Sequence, residues 1–180
     1  MKEKIIQQIL DSASMKESMV DTCISHIESA AILMIESIQN GGKILWCGNG
    51  GSAGDAQHLA TELMGGMTSH ERKPIPSIAL TTDSSFITAW SNDTDFESIF
   101  SRQVQGLGKE GDVLVGISTS GNSENIIAAL KQAKFKGLKT VVFTGKFGGM
   151  MKGMADVTIN VPSEDTQRIQ EGHIMTGQII

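Results

Sequence analysis

Short, largely apolar runs alternate with segments of helical periodicity along the chain, and this alternation constrains the fold more than any other feature. Most of the runs are followed by a polar or glycine-rich turn and then by a helical pattern, which is typical of parallel strands joined by crossover helices. The predicted strands cover residues 43–47, 77–80, 112–117, 140–143 and 157–161; the predicted helices cover 52–63, a pair around 84–90 and 96–107, 123–135 and 166 to the end.

An N-terminal helical extension precedes this alternation. Apolar residues recur at helical spacing from Ile5 to Ile38, and Gly41 and Gly42 then end the pattern. The sequence therefore predicts one α/β domain over residues 1–180, a doubly wound, flavodoxin-like parallel sheet of five strands flanked by helices. Residues 1–40 form one or two helices that we expect to pack in an oligomer. The last helix stops at Ile180 within an apolar run, so we expect it to be truncated.

Composition excludes several classes of partner. The formal net charge is −5 and the Lys and Arg residues are scattered, so no electrostatic footprint for nucleic acid is present. Cys23 and Cys47 stand far apart without a CxxC motif, which indicates reduced thiols in a cytoplasmic protein. We find no run of about 18 uncharged apolar residues, so no membrane partner is expected.

Two predicted strand ends lead into loops rich in Gly, Ser and Asn. "GNGGSAG" follows the first strand and "STSGNSEN" follows the third. Ligands of parallel α/β sheets bind at the carboxyl ends of strands, where helix N-termini favour anions. The second loop places four hydroxyls around one glycine, and we interpret it as a phosphate site rather than as a plain turn with Ser123 as N-cap. The hydroxyls belong to Ser118, Thr119, Ser120 and Ser123.

The first loop also fits a loose dinucleotide-binding pattern, G-x-G-x-x-A, at Gly48, Gly50 and Ala53. That fold needs an acidic residue about 20 positions on to hold the ribose. Here Asp83 comes about 30 positions after Ala53, and no Walker A lysine is present. The nucleotide alternative is therefore disfavoured.

His58 and Glu62 follow the first loop and lie four residues apart on one helix face. Such a pair can chelate a metal ion, although i,i+4 pairs also arise by chance. Because the helix begins at a ligand loop, its second and third turns can face a bound substrate. Glu62 is then the candidate general base.

Four motifs together resemble the phosphoheptose isomerase family of the sugar isomerase (SIS) superfamily: "CGNGGSAGDAQHLATEL", "SND", "GISTSGNSENI" and "TQRIQEGHI". They occur in the family's order and span nearly the whole chain. The resemblance implies an aldose–ketose isomerase that converts sedoheptulose 7-phosphate to D-glycero-D-manno-heptose 7-phosphate through an enediol. This reaction is the first step toward the heptose of bacterial lipopolysaccharide or capsule. The resemblance also implies a homotetramer with sites between subunits.

The site residues follow from the same resemblance. It implies one Zn²⁺ held by His58, Glu62, Gln170 and the residue at position 178, with Glu62 and position 178 as the catalytic groups. It implies that the phosphate is held by the hydroxyls named above. It also implies a sugar-phosphate pocket lined by Asn49, Gly50, Gly51, Ser52, Asp55, Glu62, Asn92, Asp93 and Gln170; Gln57 and Gln167 lie near these motifs. Asp55 can equally stabilise the first turn of its helix.

Position 178 departs from the family pattern, because Gln stands where the family has His. An amide does not titrate, and its oxygen is a weaker, neutral ligand. His173 does not replace the missing His, since it lies about 60° to one side of Gln170 around the helix and Gln178 about 80° to the other. Reduced or absent turnover is one outcome consistent with this departure. The cause stays open between an inactivating substitution, a natural variant with altered metal demand and a non-catalytic relative.

Two other functions compete with the isomerase. One is a binding protein of the DnaA initiator-associating type, which has the SIS phosphate loop but lacks the Glu of the first helix and the His of the last. Glu62 favours the isomerase and Gln178 favours the binder, and we give Glu62 more weight. The other is a sugar-phosphate sensor, which needs the serine loop but neither base nor metal.

Overall fold

A computed structural model describes all residues 1–180. The predicted strands and helices are all present, with shifts of a few residues at their ends. In chain order the elements are α1 Lys2–Gln39, β1 Ile44–Gly48, α2 Gly51–Gly65, β2 Ser77–Ala79, α3 Ser84–Asp93, α4 Ile99–Leu107, β3 Val113–Ile117, α5 Glu124–Phe135, β4 Lys139–Thr144, a 3₁₀ turn Gly149–Met151, β5 Val157–Asn160 and α6 Thr166–Ile179.

The five strands form one parallel sheet in the order β2-β1-β3-β4-β5, which confirms the doubly wound, flavodoxin-like prediction. The chain moves outward from β1 to β2 on one side and from β3 to β4 and β5 on the other. A switch point therefore lies between β1 and β3, where Gly48 pairs with Ile117. Sheets of this order leave a crevice at that edge, beyond the carboxyl ends of the strands.

Both faces of the sheet are covered, and the strands are accordingly apolar throughout. In β1, Ile44 and Trp46 face one core while Leu45 and Cys47 face the other. Helices α1, α2 and α6 cover the first face, and α4 and α5 cover the second. Crossovers between parallel strands are right-handed, so the helices that follow β1 and β3 leave the switch point on opposite faces.

The N-terminal extension is a single helix, α1, which ends just before Gly41 with its left-handed φ of 79°. Its side chains at Met15, Met19, Cys23 and Met34 are buried in the first core. By length and composition alone, α1 is long and apolar enough to cross a membrane, but Asp21, Glu28 and Glu36 interrupt it, so no uncharged run of about 18 residues is present. The core helices of soluble proteins can have the same length and composition.

Candidate active site

The serine loop, residues 118–123, brings three hydroxyls together at the carboxyl end of β3. The Ser118 Oγ lies 2.9 Å from the Ser123 Oγ and 3.5 Å from the Ser120 Oγ. The N–H of Gly121 donates to the Ser118 Oγ over 3.2 Å. Thr119 is half-buried and lines a neighbouring cavity with Ser120. Polar donors therefore converge where the switch-point crevice opens.

Ser123 is the N-cap residue of α5, yet its hydroxyl bonds to Ser118 instead of capping the helix. The N-terminus of α2 likewise has no side-chain cap. In contrast, the carboxylates of Asp83 and Asp165 cap α3 and α6. The two helices that start at the switch point thus keep uncapped N–H groups, which suit an anionic ligand.

A glycine-rich segment, residues 145–153, packs against the serine loop and is joined to it by three hydrogen bonds. Gly145 N donates to Thr119 O over 3.1 Å, and Met151 N donates to Gly121 O over 3.0 Å. The Asn122 Oδ1 accepts from Met150 N over 2.8 Å. The sequence indicated only a loop here, because a pattern of glycines does not show what the loop packs against.

The first loop turns sharply at Gly50, whose φ of 56° is left-handed. Gly51 is closely approached by Gln170 of α6, since a Cβ built on Gly51 would lie 2.6 Å from the Gln170 Nε2. The side-chain amide of Asn49 exchanges two hydrogen bonds of 2.9 Å with that of Asn125 on α5. The structure thus brings Gln170 to the first loop and adds Asn125; the metal and substrate roles of Gln170 stay predictions.

Ser52 does not face the crevice. Only 3% of its surface is exposed, and its N–H donates to Asn49 O over 3.0 Å. The side chain therefore has little surface available to a ligand in one chain, and the contact of Ser52 with substrate stays a prediction.

His58 and Glu62 project from one face of α2, with 3.0 Å between the Nε2 of His58 and the Oε1 of Glu62. One turn earlier lies Asp55, whose Oδ2 is buried without a partner. Burial raises the pKa of the Asp55 carboxyl, and the charge of His58 partly offsets the rise. The carboxylates and imidazole form a polar stripe along α2.

The donor set fits a metal ion only in part. An imidazole and a carboxylate 3.0 Å apart suit two positions of a zinc site. No group of three His, Cys, Asp or Glu side chains converges anywhere in residues 1–180. The two further predicted donors, Gln170 and Gln178, are neutral amides, which bind Zn²⁺ more weakly than imidazole.

Glu62 and Gln178 line one cavity of about 360 Å³ together with Trp46 and Arg72. Gly177 lets the helices approach this closely, because a Cβ there would lie 2.4 Å from the Leu59 Cδ1. The structure therefore brings the two predicted catalytic residues together. None of the serine-loop residues lines this cavity.

His173 faces away from the site. It is fully buried against Phe143, and its Nε2 bonds to Thr144 O over 3.1 Å. Burial lowers the pKa of His173 to about 4. This placement agrees with the prediction that His173 does not replace the missing His at position 178.

Asn92 and Asp93 lie at the end of α3, exposed and bonded to each other over 2.8 Å. No described contact joins them to the serine loop or to Glu62. Gln57 and Gln167 are also exposed, and the Nε2 of Gln57 reaches Thr81 O at 3.5 Å. These residues remain predictions.

Cys47, at the end of β1, is close to the first loop but takes no part in chemistry. Complete burial raises the pKa of its thiol to about 12, so the thiolate needed for a nucleophile or metal ligand does not form near neutral pH. Asn125 is the site residue that sequence reasoning missed. Its only signal was the helix start after the serine loop, because its partner lies 76 positions away.

Comparison with known proteins places this geometry in one family. Residues 9–145 match the SIS domain family. The chain is 49% identical over 180 residues to the phosphoheptose isomerase of a Nitratiruptor species, covering 100% of this chain and 96% of that protein. It is 48% identical over 180 residues to the phosphoheptose isomerase of Aquifex aeolicus, covering 100% and 94%.

Solved structures agree. The phosphoheptose isomerase of Neisseria gonorrhoeae superposes with a TM-score of 0.92 at 43% identity, covering 99% of this chain and 96% of that one. The enzyme of Francisella tularensis superposes with a TM-score of 0.94 at 38% identity, covering 98% and 94%. The chain therefore belongs to the phosphoheptose isomerase family of SIS-domain proteins.

Proposed function

We propose that this protein isomerises sedoheptulose 7-phosphate to D-glycero-D-manno-heptose 7-phosphate, supplying heptose for lipopolysaccharide or capsule synthesis. The observation that carries the proposal is the pairing of two features at the switch point. A cluster of serine hydroxyls suits a phosphate, and the helix that leaves the neighbouring loop presents a carboxylate, Glu62, beside His58. Family membership at 49% identity over the full chain supports the same activity.

In the proposed reaction, the serine loop holds the phosphate and so positions the other end of the sugar near α2. The Glu62 carboxylate takes a proton from C1 of the ketose, which leaves a C1–C2 enediolate. The hydroxyl proton passes from O1 to O2, Glu62 returns its proton to C2, and the carbonyl is then at C1. His58, 3.0 Å away, orients Glu62. Gln178 can hold a substrate oxygen by a hydrogen bond but cannot exchange a proton. We therefore expect slower turnover than with His at this position.

A Zn²⁺ ion would be held by His58 and Glu62, with Gln170 and Gln178 as amide ligands. Bound there, it would polarise the substrate's carbonyl and hydroxyl oxygens. Because two of the four ligands are amides, we propose that the metal binds more weakly than in a site with a second imidazole.

We further propose that the protein is a cytoplasmic homotetramer with active sites between subunits. Eight apolar side chains on α1 are about half exposed or more, which favours burial against another subunit. Within one chain, the serine loop and Glu62 do not line the same cavity. The buried free thiols fit a reducing compartment.

A binding protein of the DnaA initiator-associating type is not favoured. The relatives that match the full chain are named phosphoheptose isomerase, and Glu62 is present in a cavity beside Gln178. A pure sensor would need no carboxylate there.

The test is an isomerisation assay with sedoheptulose 7-phosphate and Zn²⁺, comparing the protein with Glu62→Gln. Loss of the general base lowers kcat by about 10² to 10⁴-fold. Glu110→Gln is the matched control, because Glu110 is exposed just before β3, at the opposite end of the sheet. An inactive wild-type protein, or an active Glu62→Gln variant, would contradict the proposal.

A further inference from the structure

Two asparagines join the loops on either side of the switch point. Asn49 Nδ2 donates to the Asn125 Oδ1, and Asn125 Nδ2 donates to the Asn49 Oδ1, both over 2.9 Å. Asn125 is 2% exposed and Asn49 is half-buried. Each amide donates one hydrogen bond to the other and accepts one from it, so the pair holds both side chains in a fixed orientation.

The Asn49–Asn125 pair, here called the amide bridge, lies where it can set the distance between the two loops. Pairing between β1 and β3 ends at Gly48 and Ile117, and α2 and α5 then leave on opposite faces of the sheet. Beyond the last pair, no ladder hydrogen bond holds the two loops at a fixed distance. The bridge spans this gap, directly after Gly48 on one side and in the first turn of α5 on the other.

The two loops are otherwise supported separately. The serine loop is clamped by the glycine-rich segment through Met151 and Met150. The first loop is supported by its own turn and by Gln170. Helix α6 approaches both supports, through Gln170 at Gly51 and Ile169 at Gly145, but no hydrogen bond of either set runs from one loop to the other.

We propose that Asn125 is a positioning residue, which acts through Asn49 to hold the first loop and the serine loop at the spacing that one sugar phosphate spans. This inference rests on the proposed function. It also gives Asn49 a second role, because its amide holds Asn125 as well as lying in the first loop.

The experiment measures, by calorimetry, the Kd of sedoheptulose 7-phosphate and of inorganic phosphate for the full-length protein and three variants. The variants are Asn49→Ala, Asn125→Ala and the double substitution. Each single substitution raises the Kd of the sugar phosphate about tenfold, the effect of one buried hydrogen-bonded pair. The Kd of inorganic phosphate changes less than about twofold, since the glycine-rich segment holds the serine loop without help from Asn49 or Asn125.

The double variant distinguishes a bridge from two separate contacts. A bridge predicts that the double variant binds the sugar phosphate no more weakly than either single variant, because the first substitution already breaks the pair. Thr140→Val is the control, since it removes a buried side-chain hydrogen bond to Asp156 at the opposite end of the sheet and leaves both Kd values unchanged.

Three results would overturn the inference. The first is an unchanged Kd for the sugar phosphate in the single variants. The second is an equal rise in the Kd of the sugar phosphate and of inorganic phosphate. The third is a double variant whose rise in Kd is the product of the two single rises. Asn49 is only half-buried, so Asn49→Ala provides the measurement even where Asn125→Ala fails to fold. The proposed function is tested separately on the unmodified protein. It fails if that protein neither binds nor isomerises sedoheptulose 7-phosphate.

Discussion

We expect position 178 to determine how strongly the proposed zinc ion is held beside α2. Its side chain shares a cavity with Glu62, and the close approach of Gly177 to Leu59 fixes the distance between the helices. An imidazole at this point would replace a neutral amide oxygen with a stronger nitrogen ligand.

We therefore expect Gln178→His to raise Zn²⁺ affinity about tenfold or more, measured by calorimetry and by the metal content of the purified protein. The kcat for isomerisation should rise with it, because the new side chain also titrates. Gln105→His, on an exposed part of α4 across the sheet, is the control. Equal zinc affinity in all three proteins would show that position 178 is not a ligand.

His173 makes the stability of the fold depend on pH. Its folded pKa is lowered to about 4 by burial, while the unfolded chain binds a proton near pH 6.5. Between these values the unfolded state carries the extra proton, so stability is fully present above about pH 6.5 and is lost as the pH falls toward 4. The loss is about 1.4 kcal/mol per pH unit.

Urea unfolding between pH 7.5 and 4.5 tests this expectation. The difference in free energy of unfolding between the protein and His173→Gln should shrink as the pH falls, since the glutamine does not titrate. A difference that stays constant with pH would contradict a buried, neutral His173.

At the scale of elements, the serine loop and the glycine-rich segment behave as one unit. Gly121 has a left-handed φ of 66°, and a Cβ there would lie 2.1 Å from Gly148 O. Neither the backbone angle nor the neighbouring carbonyl tolerates a side chain.

Gly121→Ala should lower the free energy of unfolding by more than about 2 kcal/mol and weaken phosphate binding, as measured by urea unfolding and calorimetry. Gly106→Ala is the matched control within α4, where a Cβ meets nothing within 4 Å and φ is not positive. That variant should be more stable by about 0.5–1 kcal/mol. If Gly121→Ala leaves the phosphate affinity unchanged, contact with the glycine-rich segment does not shape the serine loop.

The elements were largely predictable because their signals are local. Apolar runs such as "VLVGI" become strands buried on both faces, and the periodicity of residues 5–38 becomes one continuous helix. The 3₁₀ turn Gly149–Met151 was not predicted, because it is stabilised by the serine loop and not by its own sequence.

For the whole molecule, the exposed face of α1 is the main unpaired apolar surface. We expect the protein to be a tetramer by light scattering. Ile24→Glu should dissociate it, because a charge in an apolar interface is costly to bury.

If each active site contains residues of two subunits, activity should fall when the tetramer dissociates. Phe135→Glu is the control, since Phe135 is the most exposed phenylalanine and lies at the end of α5, away from α1. A monomeric wild-type protein with full activity would contradict the arrangement.

The strand and helix pattern, the serine loop and the His58–Glu62 pair were predictable from the sequence, because they depend on periodicity and on residues close together in the chain. The burial of Ser52, the shared cavity of Glu62 and Gln178, and the bridge between Asn49 and Asn125 became visible only in the folded chain. Those features arise where segments far apart in sequence meet at the switch point, and no local pattern specifies which side chains will touch there.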